Sequence, residues 1–98
     1  MVETYDKPGC AELRIQLRPA HLNYLEANRH LLLACGAKIA DESEQASGGL
    51  YVLDVETRTE AEAFIKADPF HEGDLFERVF VTRWRKAYLD GRNTLNEE

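Results

Sequence analysis

The residues best suited to chemistry in this sequence are a histidine and an aspartate, each close to a proline. His21 follows Pro19 by two positions, and Asp68 directly precedes Pro69. Because proline fits the first turn of a helix, the sequence predicts a helix that begins at Pro19 and carries His21 in its first turn. The positive end of a helix favours the neutral imidazole, which can serve as a general base.

Asp68 is predicted at the opposite kind of helix end. The residue before a proline is pushed out of the α region, so the preceding helix should end near Asp68, where its negative terminus disfavours a carboxylate. A specific partner would explain this placement. If the two helix ends meet, Asp68 orients the imidazole of His21 and the remaining ring nitrogen handles a proton. Residue types and spacing alone do not establish such a pair.

Other candidate side chains have simpler alternatives. Arg18 either contacts Asp68, binds an anionic ligand or lies at the surface. His71 either lines a pocket or is solvated in a loop, and His30 is expected at the surface. Four aromatic residues are expected in the core or at an interface rather than against a ligand, namely Tyr24, Phe64, Phe70 and Trp84.

The two cysteines, Cys10 and Cys35, are expected to be reduced thiols, because they lie far apart in a chain with no recognisable secretion signal. The sequence has no CxxC pair and no Cys/His spacing typical of a zinc site. His21 and Asp68 alone are too few to hold a metal ion. We therefore expect neither a metal nor a cofactor.

Charge and hydropathy argue against two classes of partner. Twelve basic residues against eighteen acidic ones give a net charge of −6, which a nucleic-acid backbone would repel. The one basic cluster is expected at a solvated strand end and comprises Arg83, Arg85 and Lys86, with Trp84 and Tyr88 beside them. No apolar run approaches the roughly 18 residues that span a bilayer. We expect a cytoplasmic protein without nucleic-acid or membrane partners.

The elements that must position His21 and Asp68 follow from periodicity and from turn residues. Helices are predicted at 11–17, 19–27 and 57–68, strands at 1–5, 31–40, 50–55 and 76–84, and loops at 41–49 and 70–75. Thr57 and Glu60 match a capping box at the start of the last helix. The folded domain is assigned to residues 1–88, and residues 89–98 are expected to form a flexible tail.

This order predicts an α+β protein of the ferredoxin-like type, βαββαβ, with an antiparallel sheet and its helices on one face. The uncovered face should alternate to polar residues if it met water, yet the runs 50–53 and 79–81 are apolar throughout. A chain of 98 residues also builds only a thin core. A second copy of the chain is the simplest cover, so we expect a homodimer.

Three short motifs occur in order along the chain. They are Asp6-Lys7-Pro8-Gly9, Arg18-Pro19-Ala20-His21-Leu22-x-Tyr24-Leu25 and Ala67-Asp68-Pro69-Phe70-x-x-Gly73-x-Leu75-Phe76-Glu77. From about Tyr5 to Trp84 the sequence resembles YCII-related proteins. The resemblance implies a dimeric α/β barrel with a pocket near the helix ends and a catalytic pair matching His21 and Asp68. Arg18, Pro69 and Phe70 are assigned to substrate binding beside that pair.

The sequence departs from the family pattern in two places. The first strand is several residues shorter than in relatives. Relatives often carry a serine where this chain has Gly49, and Ser47, two residues earlier, is the candidate replacement in substrate binding. A mechanism that needs a hydroxyl at this point therefore depends on Ser47.

Three functions remain open from the sequence. The first is a cofactor-independent enzyme of lyase or isomerase type, since some YCII-related proteins dehydrochlorinate chlorinated hydroxyquinols and the wider fold group includes lactone isomerases and small monooxygenases. The substrate would then be a small aromatic or lactone-type molecule. The second is a module that binds a small molecule without transforming it. The third is an interaction subunit with a vestigial pocket.

Overall fold

The chain forms one four-stranded sheet, helices that pack on it and a short C-terminal hairpin. The structure, a computed structural model, describes residues 1–97. The elements are β1 (Val2–Asp6), α1 (Ala11–Ala27), β2 (Leu32–Ile39), β3 (Ala46–Leu53), α2 (Arg58–Lys66), α3 (Pro69–Glu72), β4 (Phe76–Val81), β5 (Tyr88–Leu89) and β6 (Arg92–Asn93), with 3₁₀ turns at Arg29–Leu31 and Leu95–Glu97.

The sheet has the strand order β2-β3-β1-β4, and each pair of neighbouring strands is antiparallel. β1 is central because it pairs with β3 on one side and with β4 on the other, so that Val2 lies opposite both Tyr51 and Val81. This is the predicted ferredoxin-like α+β arrangement. The prediction of fold class is therefore confirmed at the level of a mixed fold with an antiparallel sheet.

The helices cover the face of the sheet that carries the core. Val2 and Leu53 are buried on this face, and Tyr51 between them contacts both α1 and α2. The Tyr51 ring meets the edge of His21 from α1 at 6.3 Å and that of Phe64 from α2 at 6.1 Å, measured between ring centroids. One tyrosine thus links the sheet to both helices, and the residues around it form the core.

The other side of the sheet, here called the open face, carries Tyr5, Lys38, Leu50, Arg78 and Phe80. The Tyr5 and Phe80 rings meet edge to face at 5.8 Å, and the Lys38 ammonium lies 3.2 Å from the centroid of Tyr5. Leu50 and Phe80 remain exposed. The sequence predicted apolar residues on this face from the runs 50–53 and 79–81, and the structure adds basic side chains that lie over the aromatic rings.

The predicted break between two helices at Pro19 is wrong. α1 runs without interruption from Ala11 to Ala27 and contains Pro19 in its interior. Proline lacks the N–H that would bond to the carbonyl of Ile15, which costs helix stability. Both residues are exposed, so water can reach this stretch and the packing of the opposite face holds the helix together. His21 therefore lies in the middle of a helix and not in its first turn.

The strands and short helices differ from the prediction in length. β3 begins at Ala46, so the connection between β2 and β3 ends earlier than the predicted loop, and Ser47 belongs to the strand. β2 continues through Gly36 without the predicted break. The predicted loop at 70–75 contains α3, and β4 ends at Val81 instead of Trp84. The strand boundaries depend on pairing with neighbouring strands, and this pairing is not visible in the sequence of a polar or glycine-containing segment.

The capping prediction at Thr57 is confirmed. The Thr57 hydroxyl accepts a hydrogen bond from the backbone N–H of Glu60 at 3.1 Å, and it donates to the Glu60 carboxylate at 3.0 Å. This cap satisfies one of the free N–H groups at the start of α2. Within residues 1–97, no helix is long and apolar enough to cross a membrane.

The C-terminal segment contains more structure than a tail was expected to have. β5 and β6 pair through a tight turn in which Asp90 and Gly91 have positive φ. Thr94 is buried, and its hydroxyl donates to the carbonyl of Ala87 at 2.9 Å. The predicted flexible tail extends to Glu98, which lies outside the described residues.

Candidate active site

His21 is held inside the fold by the middle of α1. It is buried, and its Nδ1 lies 2.8 Å from Oδ1 and 2.9 Å from Oδ2 of Asp68. Its ring stacks on Phe70 with centroids 3.8 Å apart and planes only 14° from parallel. The stack and the carboxylate fix the ring in one orientation. The expected influence of a helix N-terminus on His21 is wrong, because α1 begins ten residues earlier at Ala11.

Asp68 is an N-cap residue, not a residue at a helix C-terminus as the sequence suggested. α2 ends at Lys66, and Asp68 has the extended backbone expected before a proline. Its Oδ1 accepts a hydrogen bond from the backbone N–H of Phe70 at 2.9 Å. The capping role explains why an aspartate is favoured here even without a catalytic role.

Tyr51 completes the arrangement around the carboxylate. Its hydroxyl donates to Oδ2 of Asp68 at 2.9 Å, and the tyrosine and the aspartate are both almost fully buried. Burial of the ring, followed by the charge of Asp68, raises the pKa of Tyr51 above its ordinary value. The hydroxyl therefore stays protonated and remains a donor.

These contacts assign the tautomer of His21. Both oxygens of Asp68 already accept hydrogen bonds, one from the Phe70 amide and one from the Tyr51 hydroxyl. A carboxylate has only acceptors, so the Nδ1 of His21 donates its proton to it, and in the neutral imidazole Nε2 then carries the lone pair. An imidazole oriented in this way can accept a proton at Nε2 and return it.

His21 opens onto a cavity of about 210 Å³, here called the His21 cavity. One wall is a stripe of α1, whose residues recur at helical spacing: Arg14, Arg18, His21, Leu22 and Leu25. The other wall comes from the sheet and α3, and includes Cys35, Gly49, Tyr51 and Phe70. The cavity thus combines two arginines and a histidine with an apolar lining.

Arg14 is the second basic group that the fold fixes at this cavity. Its guanidinium pairs with Asp6 at 2.6 Å, donates to the carbonyl of Gly48 at 3.2 Å and lies 4.7 Å from the ring centroid of Phe70. These contacts come from β1, β3 and α3 together. Arg14 is therefore held in place before any ligand arrives.

The residues predicted for substrate binding do not all reach the cavity. Arg18 and Phe70 line it, and Pro69 is the first residue of α3 but is not part of the lining. Ser47 is exposed on β3, two residues before Gly49, and does not line the cavity either. Gly49 does, so the lining has no serine hydroxyl at the position where relatives often have one. A role for Pro69 or Ser47 stays a prediction.

Cys35 contributes a thiol to the cavity wall, although the residue as a whole keeps much exposed surface. Burial of the thiol, followed by the charge of Asp68, raises its pKa to about 11. The thiol is therefore protonated at neutral pH and is not an activated nucleophile. In the described part of the chain no three His, Cys, Asp or Glu side chains are grouped so as to hold a metal ion.

Sequence reasoning missed Arg14 and Tyr51, and only Arg14 carries a signal in the sequence. Arg14 lies seven residues before His21, which places the two on the same helix face two turns apart. Tyr51 lies in an apolar strand and reads as a core residue. Only the approach of α3 to that strand gives its hydroxyl a partner, so the strand pattern could not identify it.

A ferredoxin-like α+β fold with a buried His–Asp pair facing a small cavity defines the class of this protein. The sequence model of the YCII-related domain matches residues 1–85. The chain therefore belongs to the YCII-related family, as its motifs indicated.

Known relatives are similar over nearly the whole chain. Protein YciI from Escherichia coli O6:H1 (strain CFT073) and from Shigella flexneri is 27% identical over 95 residues, covering 90% of this chain and 97% of YciI. Among solved structures, 5-chloro-2-hydroxyhydroquinone dehydrochlorinase (TftG) from Burkholderia phenoliruptrix AC1100, in complex with 2,5-dihydroxybenzoquinone, superposes with a TM-score of 0.80. It is 27% identical, and the match covers 86% of this chain and 90% of TftG.

Proposed function

We propose that the protein is a cofactor-independent enzyme that transfers a proton on a small aromatic or lactone-type substrate. His21 is the general acid–base, acting at Nε2, and Asp68 is its orienting partner. The observation that carries this proposal is the buried His21–Asp68 pair at the wall of a cavity. Two buried donors hold the carboxylate, so the pair is preorganised for proton transfer.

The size and charge of the cavity favour a single substituted ring. An apolar cavity of about 150 Å³ accommodates benzene, and the His21 cavity has about 210 Å³. Arg18 places positive charge beside it, whereas the charge of Arg14 is balanced by Asp6 at 2.6 Å. A substrate that becomes anionic when His21 removes its proton would be stabilised by Arg18.

The similarity to TftG supports an elimination as the type of reaction. That protein is named for the dehydrochlorination of a chlorinated hydroquinone and was solved with a dihydroxybenzoquinone. A dehydrochlorination releases a proton and a chloride ion, and it needs no external oxidant. A base at Nε2 that accepts the proton while chloride leaves is sufficient for such a step.

The test is a thermal-shift screen of quinols, aromatic acids and lactones, followed by turnover assays on the compounds that stabilise the protein. We expect His21→Ala to lower turnover by at least about 100-fold, because general acid–base catalysis contributes that much. His30→Ala is the matched control, since His30 is an exposed histidine outside the cavity. Circular dichroism checks that both variants fold.

The outcomes separate the alternatives. Unchanged turnover in His21→Ala contradicts the proposal. A ligand that stabilises the protein but is recovered unchanged by mass spectrometry indicates a binding module. The absence of any stabilising compound would favour an interaction subunit.

We also propose that the protein works as a homodimer that pairs through the open face. Leu50 and Phe80 are exposed there, and the cations of the same face are already engaged. Lys38 lies 3.3 Å from the Glu3 carboxylate and over the Tyr5 ring, and Arg78 lies 4.4 Å from the centroid of that ring. Two such faces can therefore approach each other without a large excess of like charge.

A further inference from the structure

A second cavity, of about 770 Å³, lies where β3 and β4 end and β1 begins. It is here called the Trp84 cavity, after the residue in its wall. It shares no lining residue with the His21 cavity. Two of the three residues in the basic cluster that the sequence placed at a solvated strand end, Arg83 and Arg85, are part of its lining. The proposed enzymatic function makes no use of this site.

The floor and one wall of the Trp84 cavity are apolar. Leu53 and Ala61 are buried beneath it, and Val55 and Val81 are partly buried at its sides. Trp84 is partly buried beside them in the segment that follows β4. Cavities of a few hundred Å³ with an apolar lining and a few polar groups are typical of small-molecule sites.

The polar part of the lining is mainly cationic. Arg58, Arg83 and Arg85 contribute three of the twelve basic residues in a chain of net charge −6, against a single acidic lining residue, Glu56. Arg58 donates to the carbonyl of Val81 at 2.8 Å, which holds its guanidinium across the cavity from α2 to the end of β4, and its Nε lies 3.7 Å from the Glu62 carboxylate, which balances part of its charge. Arg83 adds its charge from the segment after β4.

We propose that the Trp84 cavity binds a small organic anion, with a carboxylate or phosphate attached to a flat apolar body. The planar guanidinium groups match the geometry of either oxyanion. The apolar floor and the indole of Trp84 contact the flat apolar body of the ligand. Removing this apolar surface from water favours binding. A free inorganic anion would leave this floor uncovered, and an uncharged ring would leave the positive charge of Arg83 at the cavity unbalanced.

The test uses Trp84 itself, which is the only tryptophan of the chain and lies in the wall of this cavity. Its fluorescence is titrated with phenyl phosphate and benzoate, which carry both parts of the ligand. Benzyl alcohol and inorganic phosphate each carry only one part. We expect a saturable change with at least one of the first two compounds, and at least tenfold weaker binding of the last two. The preference between phenyl phosphate and benzoate identifies the oxyanion.

The variants locate the binding. Arg83→Ala and Arg58→Gln should each weaken it about tenfold, whereas Arg29→Ala, which removes an exposed arginine elsewhere, should not change it. His21→Ala should also bind normally, so this result is independent of the proposed enzyme. No saturable change with either anion, or equal binding by Arg83→Ala and the unaltered protein, overturns the proposal. Loss of binding in His21→Ala overturns it too, since it places the ligand in the His21 cavity.

Discussion

At the scale of single residues, Asp68 is the centre of the candidate active site because three donors converge on it. Tyr51 supplies one of them through its hydroxyl. We expect Tyr51→Phe to lower the free energy of unfolding by about 1.5–3 kcal/mol, since hydrogen bonds to charged groups contribute about that much. Urea denaturation measures the change.

Tyr24→Phe is the matched control, because its hydroxyl donates to a neutral acceptor, the carbonyl of Phe64, at 2.6 Å. Removing that bond should cost only about 0.5–1.5 kcal/mol. If the two variants lose the same stability, the Tyr51 hydroxyl does not support the carboxylate in the way proposed. Where turnover is measurable, Tyr51→Phe should also lower kcat, because Asp68 would orient His21 less well.

The raised pKa of Cys35 gives a prediction on pH dependence. An ordinary pKa of 9.0 becomes about 11, so the thiolate fraction below pH 9 is about 100-fold smaller than that of a free thiol. Alkylation by iodoacetamide in a Cys10→Ser background should keep rising with pH beyond 9, and Asp68→Asn should shift the curve to lower pH. A plateau near pH 9 would contradict the expected environment.

Because the pKa of the Cys35 thiol is raised in the folded state, the thiol's contribution to stability is present below pH 9 and is lost as the pH rises toward 11.

The sequence predicted the catalytic candidates but not the way they are held. His21 and Asp68 were identified from their proximity to prolines, and the structure brings them together. The reasons given from helix ends were wrong, since one residue lies in mid-helix and the other is an N-cap. Local sequence reveals a cap or a proline, whereas the third partner, Tyr51, comes from a strand that only tertiary packing brings near.

At the scale of elements, the continuous helix α1 carries one weak point, Pro19. Replacing it with alanine restores an N–H that can bond to the carbonyl of Ile15. We expect Pro19→Ala to raise the free energy of unfolding by about 2 kcal/mol, which combines a gain of about 3 with a loss of up to about 1 from the freer unfolded chain. Thermal and urea denaturation measure this gain.

Ala20→Gly is the control for that measurement, because it changes an exposed neighbour in the same helix. It should lower the free energy of unfolding by about 1 kcal/mol. If neither substitution has an effect, the helix does not run through Pro19 in solution. The break that the sequence predicted would then be correct.

A second element-level prediction concerns the contact between β1 and β3. A Cβ on Gly48 would collide with the backbone carbonyl of Thr4 and with the Lys38 side chain, so the strands could not keep their spacing. We expect Gly48→Ala to cost about 3 kcal/mol or more, because a backbone atom cannot move aside. Gly36→Ala on β2 is the control, since a Cβ there meets nothing within 4 Å, and its effect should stay within about 0.5 kcal/mol. Equal melting temperatures for the two variants would contradict the close approach.

Element types were more predictable than their boundaries. The capping box at Thr57 and the strongly apolar strand 50–53 stood out because each has a local physical cause. The segment 46–49 is small and polar, and reads as a loop, although it pairs with both β1 and β2. Glycine permits this pairing at Gly48 for a steric reason that exists only once the strands are together.

At the scale of the whole molecule, the order of elements was sufficient to predict the ferredoxin-like sheet, because two βαβ-type connections admit few arrangements of four strands. The composition of the open face was less predictable. Period-two alternation assigns residues to a face, but it does not reveal that Lys38 and Arg78 lie over the Tyr5 ring. Because of these contacts, part of the aromatic surface of the open face is covered by basic side chains of the same face.

The proposed homodimer makes the last prediction. A stable interface buries about 800 Å² on each partner, which is a small part of the 6819 Å² that this chain exposes. Light scattering after size exclusion should give twice the mass of one chain. Leu50→Glu or Phe80→Glu should convert the dimer to a monomer, because each places a charge at the centre of a face that meets its own copy. Leu95→Glu, which alters an exposed leucine outside the open face, should leave the mass unchanged. A monomeric unaltered protein, or a dimer that survives both open-face substitutions, would show that the open face does not pair with itself.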